Sequence, residues 1–269
     1  ANEMLRIAKN AGRPRAVIMV GQMTKEDELA GLRALEHLVD TVLVIEGDSA
    51  EELRTLSATK NRFGSTGETG FFSMREEGMV SIDNPSEFFM TKREGGQLVS
   101  GSALTVVKEG SRAIIAEIES LVSTTLTPYP ARIGECLKRE QLNTLVSILV
   151  QRGGLPLYDK DIVLKTTGGI KFKEQAVNLS VMMSIVSSVY DRGIPGDTVF
   201  ISDVGLTGEL KRVPSLEMRI RELDRRGFKR VYTAPGVNKG AFKVNNTKII
   251  EMKTLQEVIN HVFKGEYAQ

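Results

Sequence analysis

The segment Ala103–Ser123, ALTVVKEGSRAIIAEIESLVS, constrains the fold more than any other part of the chain. Apolar and polar positions alternate on both sides of Glu109-Gly110-Ser111, the pattern of two antiparallel strands joined by a tight turn. Downstream the periodicity predicts a helix over 138–152, a strand over 161–167, a helix over 174–190 and a strand over 197–203. A helix over 215–226, a short strand over 230–233 and a terminal helix over 254–263 follow. In the helix 174–190, Val177, Val181, Ile185 and Val189 recur at every fourth position, and Leu179, Met182 and Met183 broaden that stripe. Such a stripe is a core face and needs no functional role.

Upstream the pattern differs. Residues 2–10 read as an amphipathic helix ending near Gly12, and AVIMV (16–20) reads as a buried parallel strand. A polar loop, GQMTKEDELAGLRALEH, leads into a short helix; strands follow over 39–48, read as buried, and over 53–59. This order describes the latter half of an α/β nucleotide-handling domain. The segment 75–97 carries charges, Pro85 and a Gly-Gly pair, and its end is the natural linker. The expected organisation is therefore α/β over 1–97 and α+β over 98–269. A length of 269 residues suits two domains, and 41% hydrophobic with 26% charged residues supports sizeable cores.

Composition excludes several classes. Cys136 is the one cysteine and His37 and His261 are the two histidines, so neither a disulfide framework nor a Cys/His metal centre is expected. No apolar stretch reaches membrane-span length and no charged-then-apolar leader opens the chain, so a reducing, cytoplasmic setting without membrane contact is expected. Ala1 begins on what reads as a mid-domain helix, as in a fragment. The net charge of +2 is unremarkable, but Glu209–Arg230 holds eight Lys/Arg against four Asp/Glu. That local excess suits a phosphate backbone or, equally, a solvated helix face. With no Trp and five Tyr, base stacking has little to work with.

The stretch TKNRFGSTGE (59–68) places Lys60 and Arg62 two positions apart at a strand end, before a Gly-containing turn. On a strand that spacing points both cations the same way, a fork suited to phosphate; a solvated strand end is the alternative. No GxxxxGK[ST] phosphate loop occurs, so the chain has no P-loop of its own. Cations of this kind can instead act on a nucleotide held by a neighbouring subunit.

TKNRFGSTGETGFFSM and LEHLVDTVLVIEGD closely resemble the bacterial RadA (Sms) DNA-repair family, whose hallmark is Lys-Asn-Arg-Phe-Gly. The resemblance continues through NPSEFF, SGSALTVVKEGSRAIIAEIESLV, RGGLPL, GGIKF and DVGLTGELKRV, covering essentially the whole chain. It implies the C-terminal part of a RecA-like P-loop ATPase domain followed by a Lon-protease-like domain. In such proteins an N-terminal zinc finger and both Walker motifs precede this part, so zinc, ATP and magnesium belong to the longer protein. The family forms hexameric rings, acts on single-stranded and branched DNA during branch migration, and works beside a RecA-type recombinase.

By the same resemblance, Lys60 and Arg62 would reach the nucleotide of the adjacent subunit. Gln22 takes the place of the switch that senses the terminal phosphate, where the family commonly has His. Lys25 and Arg33 fall in the DNA-contacting loop, in which Leu32 replaces a frequent Pro. Lon peptidases pair a serine with a lysine; here their places fall on Ala176 and Glu217, so peptidase activity is not expected. Ser180, one turn later, reads as a packing or capping residue. Arg132, Lys171 and Lys211 match positions offering positive charge to DNA, and Gln141 stands where an Arg is usual. The alternative is that the Lon-like domain is purely an oligomerisation scaffold.

Overall fold

A computed structural model describes residues 2–9, 12–13, 15–21, 31–47, 52–93, 97–237 and 243–264. The chain forms two compact units, Ala1–Ser81 and Ile82–Gln269. It is a mixed α/β protein with parallel and antiparallel pairing, as expected from the sequence.

The first unit contains helices α1 (Asn2–Ala8) and α2 (Gly31–Leu38). Its sheet has four antiparallel strands in sequential order: β1 (Thr41–Glu46), β2 (Leu53–Asn61), β3 (Thr69–Arg75) and β4 (Gly78–Ser81). The apolar run 16–20 is not a strand here: Ile18 is 86% exposed and Val20 96%. A strand apolar on both faces becomes buried only when neighbours flank it, and no described residue pairs with this one. β1 forms as expected but is not buried, since Leu43 and Ile45 both face solvent. The β3–β4 hairpin was not anticipated. Its two-residue loop is Glu76-Glu77, and Gly78, at φ +112°, supplies the backbone that closes it.

The second unit is built on a seven-stranded sheet in the order β13-β12-β9-β5-β6-β8-β7. Its centre is the anticipated hairpin of β5 (Ser102–Glu109) and β6 (Arg112–Thr124), paired from Glu109–Arg112 to Ser102–Glu119. Gly110 takes φ +62° in the loop, where a side chain would be strained. β7 (Arg132–Gly134) and β8 (Lys160–Thr166) extend one side. β9 (Thr198–Ile201), β12 (Arg230–Thr233) and β13 (Lys248–Glu251) add parallel strands on the other. A small ladder joins β10 (Asp203–Val204) to β11 (Leu210–Lys211).

Four longer helices complete this unit: α4 (Arg139–Gly153), α5 (Asn178–Tyr190), α6 (Leu216–Arg225) and α7 (Leu255–Phe263), with the short α3 (Pro85–Phe88) before β5. The expected 174–190 helix begins as a 3₁₀ turn at Gln175–Val177 before α5 takes over. Every residue from Asn178 to Ser187 is buried, so α5 is a central helix rather than an amphipathic surface one. Val189, at the end of the stripe, is only partly covered.

Compact packing divides the chain after Ser81, whereas the charge and glycine pattern placed the linker at the end of 75–97. The intervening segment is held on β6. Ile115 N donates to Ser86 Oγ at 3.1 Å, Glu117 N donates to Phe89 O at 2.9 Å, and Phe89 is fully buried. Gly168, at φ +72°, lets the Phe88 and Phe89 rings approach: a Cβ there would stand 2.7 Å from Phe89 and 2.9 Å from Phe88. Below them Glu117 lies buried. Its carboxylate accepts from Ser102 Oγ at 2.5 Å, from Thr91 N at 2.7 Å and from Arg93. Burial pushes this carboxyl up, but the Ser102, Thr91 and Arg93 bonds prevail and hold it below the usual value.

Candidate nucleic-acid interface

In the first unit, β2 runs through Thr59 to Asn61 and carries the signature stretch. Lys60 and Arg62 both turn toward the connection between α2 and β1. Lys60 Nζ donates to the carbonyl of Glu36, one of the last-turn oxygens that α2 leaves without a helical partner. Arg62 N donates to Asp40 O at 3.0 Å and its Nη1 reaches Asp40 Oδ1 at 3.2 Å, with the side chain 49% exposed. The organiser of the turn is Asn61. Its Oδ1 accepts from Phe63 N at 3.2 Å and its Nδ2 donates to Ser65 O at 3.4 Å. A Cβ on Gly64 would stand 2.9 Å from Asn61 Nδ2. Asn at a strand end just before a glycine turn is a signal that the sequence itself carries. Phe63 is left 85% exposed.

Gln22 and Lys25 lie outside the described residues, as does the side chain of Arg33, whose backbone belongs to α2.

In the second unit, a cleft of about 630 Å³ opens between α4, the start of α5 and the β10–β11 ladder. Lys211 lines it, and so do Lys138 and Lys173, which the sequence did not single out. Lys171 is exposed on the strip that carries Lys173, with buried Phe172 between them. Arg132 does not line the cleft; it lies on β7, with its Nε buried and without a hydrogen-bond partner among the described residues.

The cleft floor is a relay of amides. Gln141 Nε2 donates to Asn178 Oδ1 at 3.0 Å, and Asn178 Nδ2 donates to Asp203 Oδ1 at 2.8 Å, which also accepts from Val204 N at 2.7 Å. Glu174, the other acid on the wall, is held by Arg219 Nη1 and Nη2 at 2.8 and 2.5 Å and by Lys108 N at 2.8 Å. Both carboxylates are thus engaged, while Lys138, Lys173 and Lys211 form no ion pair among the described residues. Lys211 lies along Gly205, where a Cβ would come within 2.7 Å of its Cε and 3.1 Å of its Nζ. Such a concave surface concentrates positive charge.

Ala176 is a core residue, 2% exposed and clustered with Val199, Ile201 and Leu216; Glu217 lies partly exposed on α6. Ser180 is fully buried, its hydroxyl facing Val177 O at 3.3 Å. Cys136 is buried too, and burial pushes its thiol up to about 11. No group of three or more His, Cys, Asp or Glu among the described residues is arranged to hold a metal ion, and no described helix is long and apolar enough to cross a membrane.

Fold and site together define a mixed α/β protein with a cation pair at one strand end and, in its second unit, a lysine-lined cleft. Over 263 residues, 98% of its length, the chain is 40% identical to the DNA repair protein RadA of Bacillus subtilis (strain 168), of which it spans 57%. It is 38% identical over 261 residues to the RadA of Pseudomonas aeruginosa, covering 97% of this chain and 56% of that protein. With the RadA of Streptococcus pneumoniae the identity is 39% over 261 residues, covering 97% and 61%. The sequence relationship is therefore to the RadA DNA-repair proteins, over their C-terminal part, and the chain spans a little over half of their length. No family model matches the chain.

Proposed function

We propose that this chain is the C-terminal part of an ATP-dependent DNA repair and recombination protein that acts on recombination intermediates as a DNA-binding hexameric ring. In this reading the first unit ends a RecA-like ATPase domain. Lys60 and Arg62 stabilise the phosphoryl group of ATP and magnesium bound by the adjacent subunit, and Gln22 senses the terminal phosphate. Lys25 and Arg33 contact DNA from the first domain. The second unit is a Lon-like domain without peptidase chemistry, since a methyl group at 176 is no nucleophile and a carboxylate at 217 is no amine base. It offers Arg132, Lys171 and Lys211 to phosphates, and a RecA-type recombinase is the expected partner.

The observation that carries this reading is a set of cleft lysines that form no ion pair among the described residues, beside Asp203 and Glu174, whose carboxylates are already engaged. Phosphate contacts of that kind give affinity without sequence reading and weaken steeply with salt. Fluorescence anisotropy of a labelled DNA strand across a salt series tests it. Lys171→Glu with Lys211→Glu is expected to weaken binding and flatten the slope of log affinity against log salt. An unchanged slope refutes the platform.

A scaffold reading is favoured by one feature. Leu121, Val163 and Ile133 stand in register across β6, β8 and β7, so they share a sheet face, and Leu121 and Ile133 are exposed. If residues 82–269 assemble without DNA and do not bind it, that reading replaces the platform.

A further inference from the structure

We propose that the cleft between α4, α5 and the β10–β11 ladder receives one nucleotide unit, a phosphate with its base, rather than a stretch of backbone passing over the surface. The proposal deepens the DNA-binding reading above and rests on it where the nucleotide belongs to a strand. The same chemistry would also accept a free nucleoside 5′-phosphate.

Size is the first reason. At about 630 Å³ the cleft falls within the range of sites that enclose a small organic ligand, about 300–1,000 Å³. A backbone phosphate alone needs only a surface cation. Charge is the second. Lys138, Lys173 and Lys211 supply three ammonium groups, while Asp203 and Glu174 are tied down by Asn178, Val204, Arg219 and Lys108. An incoming phosphate therefore meets Lys138 and Lys211 without an ion-pair partner among the described residues, and Lys173 with only the longer-range attraction of Glu109 to overcome.

The third reason is the presence of amides, which a phosphate does not require. Gln141 spends its Nε2 on Asn178 and keeps Oε1 as an acceptor, and the exposed Gln175 amide has no partner among the described residues. An amide offers a donor and an acceptor side by side, the complement of a base edge. Phe172 is turned inward, so aromatic stacking is not the means of holding a base; the exposed Leu206 provides apolar contact instead. Lastly, Lys211 is aimed by backbone. It rests on Gly205, whose missing side chain leaves room for it.

The test uses the full chain and fluorescence anisotropy with a labelled single strand and an abasic strand of the same length and charge. Free nucleoside 5′-monophosphates and inorganic phosphate serve as competitors. The intact strand is expected to bind about threefold to tenfold more tightly than the abasic one, the worth of one or two amide hydrogen bonds. Gln175→Ala, which breaks no hydrogen bond among the described residues, should shrink that difference by weakening the intact strand more than the abasic one. Gly205→Ala moves Lys211 without altering charge and should weaken the intact strand while the melting temperature holds. Displacement by free monophosphate but not by inorganic phosphate at equal concentration assigns the site to a free nucleotide as well; displacement by oligonucleotide alone assigns it to a strand. Equal affinity for abasic and intact strands, with neither monophosphate binding, overturns the nucleotide pocket and leaves the backbone platform standing. Loss of all strand binding overturns the platform, and the pocket falls with it unless free monophosphate still binds.

Discussion

Arg219 grips Glu174 through both terminal guanidinium nitrogens, at 2.8 and 2.5 Å, from a position 1% exposed. The same guanidinium donates to Val106 O and, through Nε at 3.3 Å, to Pro214 O. One side chain thereby ties α6, β5 and the segment before α5 into a single polar junction inside an apolar cluster. The partners are unequal, because the carboxylate side chain is 28% exposed and the cation is not.

That asymmetry sets the first prediction. Glu174→Ala strands a buried cation and is expected to cost about 3–5 kcal/mol. Arg219→Met leaves a carboxylate that water and Lys108 N can still reach, with Val106 O as the main loss, and should cost roughly 1–3 kcal/mol. Denaturant unfolding of both variants measures the order; a reversed order refutes the account.

The signature cations should separate stability from chemistry. The Arg62–Asp40 pair is half exposed, so Arg62→Ala is expected to change stability by about 1 kcal/mol or less. In the intact, longer protein, Lys60→Ala or Arg62→Ala should abolish DNA-stimulated ATP turnover and spare nucleotide binding. Retained turnover in an otherwise normal variant removes the role across the subunit boundary.

Acid should loosen the tie between the segment 82–93 and β6. The Glu117 carboxyl titrates below its ordinary 4.5 in the folded chain. Its contribution is therefore complete above about that pH and is lost as pH falls through the lower, folded value. Glu117→Gln should lower stability at neutral pH and make the acid limb of the stability profile shallower. Glu222 is also held low, so some acid sensitivity remains in that variant. A variant profile parallel to the native one counts against the network.

Cys136 gives a cheap reporter. Buried, and with its thiol pushed up to about 11, it should resist a thiol reagent at neutral pH. Labelling is expected to follow the unfolding of the second unit across a denaturant series. Rapid labelling of the folded chain would contradict this environment.

Much of the second unit is legible in the sequence. The hairpin around Gly110, the strand 230–233 and the terminal helix follow from periods of two and 3.6 with punctuation at the ends; Thr254 caps that helix by accepting from Glu257 N at 3.3 Å. The first unit was less legible. AVIMV has the composition of a buried strand, but burial depends on neighbours, which local composition does not encode.

For the candidate site the division is sharper. The sequence singles out Lys60 and Arg62 by their spacing within a signature pentapeptide, and Lys211 by a matched family position, all one-dimensional properties. Lys138 and Lys173 look like ordinary surface until the chain is folded, whereas Asn61 stands in a turn pattern that the sequence does carry.

The amino-acid sequence by itself determined the α/β class, the central hairpin, the core stripe of α5 and the relationship to RadA, since each depends on local period or on matched residues. Only the tertiary structure decided that Lys138, Lys173 and Lys211 share one cleft and that Asp203 and Glu174 are already engaged there. Those facts arise from contacts between segments far apart along the chain, and which charges remain free is settled only when every other partner has been placed.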